Sequence, residues 1–224
     1  AQNYDGDAYN VAIGHQAGLA VTTGIQNTLI GGLAGDALTT GAKNVAIGVQ
    51  SLSTEDTGSR NVAIGYQALL QLNYNGEGYN VAVGSNAGEN VTTGINNTFI
   101  GGLAGDALTT GSNNVAIGKS ALSAEDTGSH NVAIGNEALQ DLNYNGSGYN
   151  TAVGSRAGAD ITTGIKNTLI GGGSGDALTE GHSNTAVGYE SLSASVDGDG
   201  NTAIGYLALR AYEDGDGNGH NTAI

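Results

Sequence analysis

Gly41-Ala42-Lys43-Asn44-Val45-Ala46-Ile47-Gly48 decides the fold, because its last five residues return along the whole chain as Asn-(Val/Thr)-(Ala/Leu/Phe)-(Ile/Val)-Gly. The pentad starts at Asn10, Asn27, Asn44, Asn61, Asn80, Asn97, Asn114, Asn131, Asn150, Asn167, Asn184 and Asn201, and a further copy opens at Asn221. Within each group of four copies the step is constant for three intervals and slightly longer for the fourth, as in Asn10 to Asn27 to Asn44 to Asn61 and then to Asn80. One coil per step is therefore the unit, and four coils make a super-repeat, seen at 10–79, 80–149 and 150–220. Residues 3–9 match the end of a super-repeat at 73–79, so both ends of the chain fall inside the pattern. With no Met at position 1, residues 1–224 are expected to be a single solenoid domain cut from a longer fibre.

A period of this length implies stacked coils, each too thin to bury its apolar face except against its neighbours. Composition agrees: 40 Gly, no Pro, Cys, Met or Trp, and one Phe leave Val, Ile, Leu and Ala to build a thin core. Within each pentad the β-branched, alternating pattern predicts a short strand, and the glycine load excludes helix. Two glycines per coil, such as Gly48 and Gly58, mark two corners, and two corners predict two strands per coil. Eight residues after the Asn stands Leu in two coils of each super-repeat (Leu52, Leu69) and Gly in the other two (Gly18, Gly35). Where it is Gly, an aliphatic follows three residues later (Val21, Leu38), as if one volume were filled from two alternative positions. A hexapeptide helix would need an aliphatic every six residues, and Ile47 is followed at that step by Ser53 and Ser59. The expected fold is all-β, a flattened parallel β-roll.

The pentad with its upstream glycine corner, as in Gly41 to Gly48, resembles the head repeats of YadA-like trimeric autotransporter adhesins, and related repeats occur in bacteriophage tail fibres and other chimeric trimeric fibres. The resemblance covers the whole chain. It implies a left-handed parallel β-roll (β-solenoid), three chains side by side as a homotrimer, and an extracellular fibre on a bacterial cell surface. The chain departs from that family in its coil, which is longer than the family's, and in carrying Asn where Ser usually precedes the Val. No apolar heptad marks a coiled-coil stalk.

Strand alternation puts the residues one and three after the Asn on one face and the residue between them on the other. The β-branched pair suits the interior. The middle position is then expected to face symmetry mates: Ala12, Ala46, Ala63, Ala82, Ala116, Ala133, Ala152, Ala186 and Ala203, with Leu29, Phe99 and Leu169 as plugs near the common axis. The number three comes from the resemblance. Asn at the head of every pentad forms either an internal amide ladder or a row of ligand contacts, and identical coil positions favour the ladder.

For ligand binding, the long loops offer Tyr74, Asn75 and Tyr79, repeated at Tyr144, Asn145 and Tyr149. Tyrosine beside amide side chains suits sugar recognition, and the alternative is that these rings cap the roll edge or pack between protomers. The paired threonines (Thr22-Thr23, Thr39-Thr40, Thr92-Thr93, Thr109-Thr110, Thr162-Thr163) could match ice, but they sit beside glycine corners, where turn chemistry accounts for them. Asp197, Asp199, Asp214 and Asp216 are weak candidates for Ca²⁺, since they lack the spacing of an EF-hand loop. No other cofactor is expected. The four His occupy different coil positions, and the carboxylate pairs Glu55-Asp56 and Glu125-Asp126 read as solvated turns, so no catalytic residue is expected and the chain is not read as an enzyme.

A formal charge of −15, with 21 acidic and 6 basic residues, argues against nucleic acid and anionic membrane as partners. No apolar run approaches the ~20 residues of a membrane span. The expected function is a structural and adhesive segment of a trimeric surface fibre, presenting loops to host, glycan or matrix ligands. A phage tail-fibre segment on a virion is the alternative, and an ice-binding solenoid a further one.

Overall fold

The computed structural model describes residues 6–212 and 219–224. The chain is an all-β parallel solenoid with one coil for each pentad. Its strands are β1 (Val11–Ile13), β2 (Thr28–Ile30), β3 (Val45–Ile47), β4 (Val62–Ile64), β5 (Val81–Val83), β6 (Thr98–Ile100), β7 (Val115–Ile117), β8 (Val132–Ile134), β9 (Thr151–Val153), β10 (Thr168–Ile170), β11 (Thr185–Val187), β12 (Thr202–Ile204) and β13 (Thr222–Ala223). Contacts divide it into two compact units, 1–113 and 114–224. In the first unit β1 to β6 pair in sequence order, and in the second β7 to β13 do the same. Pairing is parallel and in register, so equivalent residues of successive coils form straight columns, such as Val45 beside Val62 and Ala46 beside Ala63.

Each coil contributes one strand among the described residues, and the expected second strand is not formed. The far side of the coil runs instead through consecutive turns, held to the next coil by single backbone bonds such as Gly18 N–H to Ala34 C=O at 3.0 Å and Leu52 N–H to Ala68 C=O at 3.0 Å. Left-handed backbone explains the difference. The position eight residues after the Asn has positive φ whether it is Gly (Gly35, +53°) or Leu (Leu52, +52°), and a strand cannot pass through that conformation. The glycine that closes the pentad is needed for two reasons, as Gly48 shows. Gly48 has φ +135°, and a Cβ there would overlap the carbonyl of Gly65 in the next coil.

The strand faces are opposite to those expected from the pattern. The middle residue points inward: Leu29, Ala46, Ala63, Ala82, Phe99, Ala116, Ala133, Ala152, Leu169, Ala186 and Ala203 are at most 1 % exposed within a single chain. They are core, so they cannot be an interface row; Ala12, in the first described coil, is exposed. Leu29, Phe99 and Leu169 are plugs of the roll itself. A Cβ on Gly18 or Gly35 would come within 2.7 and 2.8 Å of the Leu29 side chain, so one leucine from the strand fills the space that two glycines leave opposite it. Phe99 does the same over Gly88, and Leu169 over Gly158 and Gly175. Where the far wall carries Leu52 and Leu69, the strand carries only Ala46 and Ala63. The volume is shared as the sequence suggested, but the larger partner comes from across the coil, with Val21 and Leu38 adding to it.

The asparagines form the internal ladder. Asn44 Oδ1 accepts the backbone N–H of Asn61 at 2.9 Å, and Asn44 Nδ2 donates to the corner carbonyl of Gly58 at 2.8 Å. Asn167 repeats both bonds with Asn184 N–H (2.9 Å) and Gly181 C=O (2.8 Å). Asn44→Ala removes both partners from buried backbone groups, and each such orphan costs about 1–3 kcal/mol. The expected loss is roughly 2–4 kcal/mol, measurable as a lower urea midpoint; a loss no larger than that of Lys43→Ala at the exposed corner would contradict the ladder's role.

Candidate functional site

The long-loop residues divide into two groups. Tyr74 and Asn75 are held by their own chain: the Tyr74 ring lies over Gly76, its N–H donates to Glu55 Oε2 at 3.1 Å, and Asn75 Oδ1 accepts the Thr57 hydroxyl. Tyr144 and Asn145 repeat this against Gly146, Glu125 and the Thr127 hydroxyl. Tyr79 and Tyr149 are 48 % and 55 % exposed, in the column immediately before the Asn ladder. Tyr9, Gln26, Lys43, Arg60 and Asn96 share that column in the first unit, and His130, Lys166, Ser183 and His220 in the second, all with φ between +44° and +63°. The left-handed backbone turns these side chains outward along one edge of each unit.

The edge contains the expected aromatic chemistry, already partnered. The Arg60 guanidinium lies 5.6 Å from the Tyr79 ring centre, and its Nε donates to Glu77 Oε1 at 2.6 Å. Glu77 also accepts the Tyr79 hydroxyl, and that bond, followed by the one from Arg60, holds its carboxyl below the usual range. In the second unit the His130 ring stacks on Tyr149 at 5.0 Å. Each tyrosine thus has one neighbour of its own column against its ring.

Asp197 and Asp199 are engaged by the preceding coil. Thr179 Oγ1 donates to Asp197 Oδ1 at 2.9 Å, and the His182 N–H to Asp199 Oδ1 at 2.6 Å. Asp214 and Asp216 lie outside the described residues. Among the described residues no three His, Cys, Asp or Glu side chains come together as a metal site. Thr22, Thr39, Thr92 and Thr162 each donate Oγ1 to a backbone carbonyl of the next coil, as Thr22 does to Thr39 C=O at 3.2 Å and Thr39 to Asp56 C=O at 2.9 Å, so these hydroxyls join coils.

Glu55 and Glu125 correct the expectation of a solvated turn, since both are fully buried. Glu55 Oε1 accepts the N–H groups of Thr57 (3.2 Å) and Gly58 (2.6 Å), while Oε2 takes Tyr74 from the long loop of the next coil. The signal was in the sequence: Glu55 stands eleven residues after its Asn, where the neighbouring coils have Leu38 and Leu72. The third super-repeat has Ser195 there. Burial raises both carboxyls above their ordinary value of 4.5, and the three N–H bonds offset part of that.

No family model matches the chain, and no curated protein or solved structure is significantly similar to it. The site must be read from its own chemistry.

Because the folded-state value of Glu55 and Glu125 lies above the unfolded one, their contribution is most favourable below pH ~4.5 and is lost as pH rises through the raised value. Replacing both by Gln removes this titration at the cost of the bond to Tyr74 or Tyr144. Urea unfolding between pH 4.5 and 8 should show a stability decline in the wild type that is flatter in the double variant; superimposable slopes would refute the assignment.

Proposed function

We propose that this chain is a non-catalytic segment of an extracellular fibre, in which copies associate side by side through the outward face of the strand sheet, as a homotrimer. The observation that carries this is the chemistry of that face. In the first unit its two columns are Val11, Thr28, Val45, Val62, Val81 and Thr98 beside Ile13, Ile30, Ile47, Ile64, Val83 and Ile100. All twelve are β-branched, none is charged, and every one is partly or fully exposed in a single chain. The second unit continues the chemistry from Val115 and Ile117 to Thr202 and Ile204, with Ile170 40 % and Ile204 39 % exposed. Contiguous exposed apolar patches that exceed the few hundred Å² usual on a monomer mark interaction sites, and these two columns run unbroken over six successive strands. The chain carries 21 acidic residues and places none here, so the face is suited to meeting apolar surface rather than water.

A second copy is the natural occupant. The columns are straight and repeat at one spacing, so parallel copies match rung for rung, and symmetric self-association is the commonest solution for such a patch. The number three, a left-handed roll, and placement on a bacterial surface rest on the resemblance to YadA-like heads; a virion tail fibre would use the same geometry. Attachment to host, glycan or matrix ligands is assigned to the exposed tyrosines Tyr79, beside Arg60 and Glu77, and Tyr149, beside His130.

Sedimentation equilibrium should give three times the chain mass. Ile47→Lys with Ile64→Lys, both outward, should yield a folded monomer, whereas Ala116→Glu with Ala133→Glu should unfold the chain, because those charges enter the core. A wild-type monomer at tens of micromolar would overturn the assembly. For the adhesive role, a glycan screen in which Tyr79→Ala with Tyr149→Ala leaves every bound spot unchanged would remove the edge from consideration.

A further inference from the structure

The third super-repeat carries a distinctive surface pair in two of its coils, five and six residues after the Asn. In the first super-repeat the second coil has Gly32-Leu33 there, and the third coil has Val49-Gln50. The corresponding residues in the third super-repeat are Gly172-Gly173 and Tyr189-Glu190. Loss of the leucine opens a cleft of about 300 Å³, floored by Gly172 and Gly173, with Ser155 and Arg156 on one wall and Tyr189 and Glu190 on the other. Its walls are two coils apart, about 10 Å between backbones at the usual strand spacing. One ring fits between them at van der Waals distance, ~3.5–4 Å, from an aromatic face.

That aromatic face is prepared. Tyr189 stacks on Tyr206 with ring centres 5.8 Å apart and planes within 14°, which fixes its orientation and covers one side. On its other side the ring leans toward Gly172, with Cδ2 and Cε2 3.5 and 3.7 Å from where a Cβ would stand, and Tyr189 remains 53 % exposed. Two carboxylates line the cleft. Asp176 lines the cleft beside Gly173, with Oδ2 3.7 Å from where a Gly173 Cβ would stand, while its Oδ1 is buried, as are those of Asp36 and Asp106 in the sister coils. Glu190 is tied to Arg210 at 3.1 Å. Arg156, the only cation lining the cleft, lies 3.6 Å from Glu137 and 3.9 Å from Asp160, so its charge is already balanced.

We propose that this cleft binds a neutral pyranose sugar, stacked on the free face of Tyr189 with its hydroxyls donating to the carboxylates of Asp176 and Glu190. A ring with an apolar face and hydroxyl edges answers an aromatic wall and carboxylate acceptors. Anionic sugars and phosphate are disfavoured, because they would meet two carboxylates with no uncompensated cation. The site lies within one chain, in the second unit, two residues beyond the outward Ile170 and Val187 of the strand face, and shares no residue with the long-loop tyrosines.

The sister repeats supply test variants that the fold accepts. Gly173→Leu restores the residue found at Leu33 and Leu103, whose φ of 59° matches the 63° of Gly173, and Tyr189→Val restores Val49. Saturation-transfer NMR and titration calorimetry would use lactose, maltose, cellobiose and chitobiose as probes, with sialyllactose as the charged control. At least one neutral disaccharide should bind the wild type. Gly173→Leu and Tyr189→Val should each weaken it tenfold or more with unchanged melting temperature, and Tyr79→Ala with Tyr149→Ala should leave it intact. No saturable binding of any neutral probe, equal affinity in Gly173→Leu, or tighter binding of sialyllactose than of lactose would each overturn the proposal.

Discussion

In a coil this thin, backbone groups at the corners are buried without a second strand to pair with, and each orphan would cost more than a coil's modest core returns. The asparagine column meets that constraint. One side chain serves both problems at once: its carbonyl takes the N–H of the next asparagine, and its amide reaches the carbonyl of the corner glycine. Glutamine would be a methylene too long for the same two bonds, and aspartate would lack the donor. The ladder also fixes register, because a slip of one residue would withdraw both partners in every coil it touched. Straight columns follow from it, and so do the features that depend on columns.

The interior is then a problem of volume across a narrow gap. Across the interior the middle residue of the strand and the residue eight after the Asn are never both large in the same coil. Ala46 and Ala63 face Leu52 and Leu69, while Leu29 faces Gly18 and Gly35. Glu55 and Glu125 occupy the same inner wall, where their carboxylates gather three N–H groups and tie the long loop to the coil before it. A buried carboxylate here is an organising group for a turn, in the way that the asparagines organise the corners.

Such a scaffold lets surface positions vary independently, because a side chain outside the columns of Asn, inward Ala and corner Gly does not propagate. The edge of Tyr79 and Tyr149 and the cleft beside Tyr189 are both products of that freedom. Each arises where a left-handed residue presents its side chain outward, and exchanging leucine for glycine at such a position changes the surface while leaving the coil intact. The acidic surplus is kept on the turns and loops and away from the β-branched strand face.

The sequence by itself determined the period, the parallel stacking, the strand at each pentad and the asparagine ladder, since all of these follow from identical residues returning at a nearly constant step. It could not decide which way the strand faced. Alternation puts Val45 and Ile47 on one side and Ala46 on the other, but a β-branched row is equally at home in a core or at an interface, and alanine is neutral between them. Only the packing against the opposite turn wall settles it: the middle residue, whether Ala, Leu or Phe, is buried from Leu29 to Ala203, and the β-branched pair points out. The second strand failed for a similar reason, because Leu52 gives no sign in sequence of the left-handed φ that packing imposes on it. The Tyr189 cleft was equally hidden, since its walls and floor come from three successive coils and the floor is recognised only by a leucine that is missing.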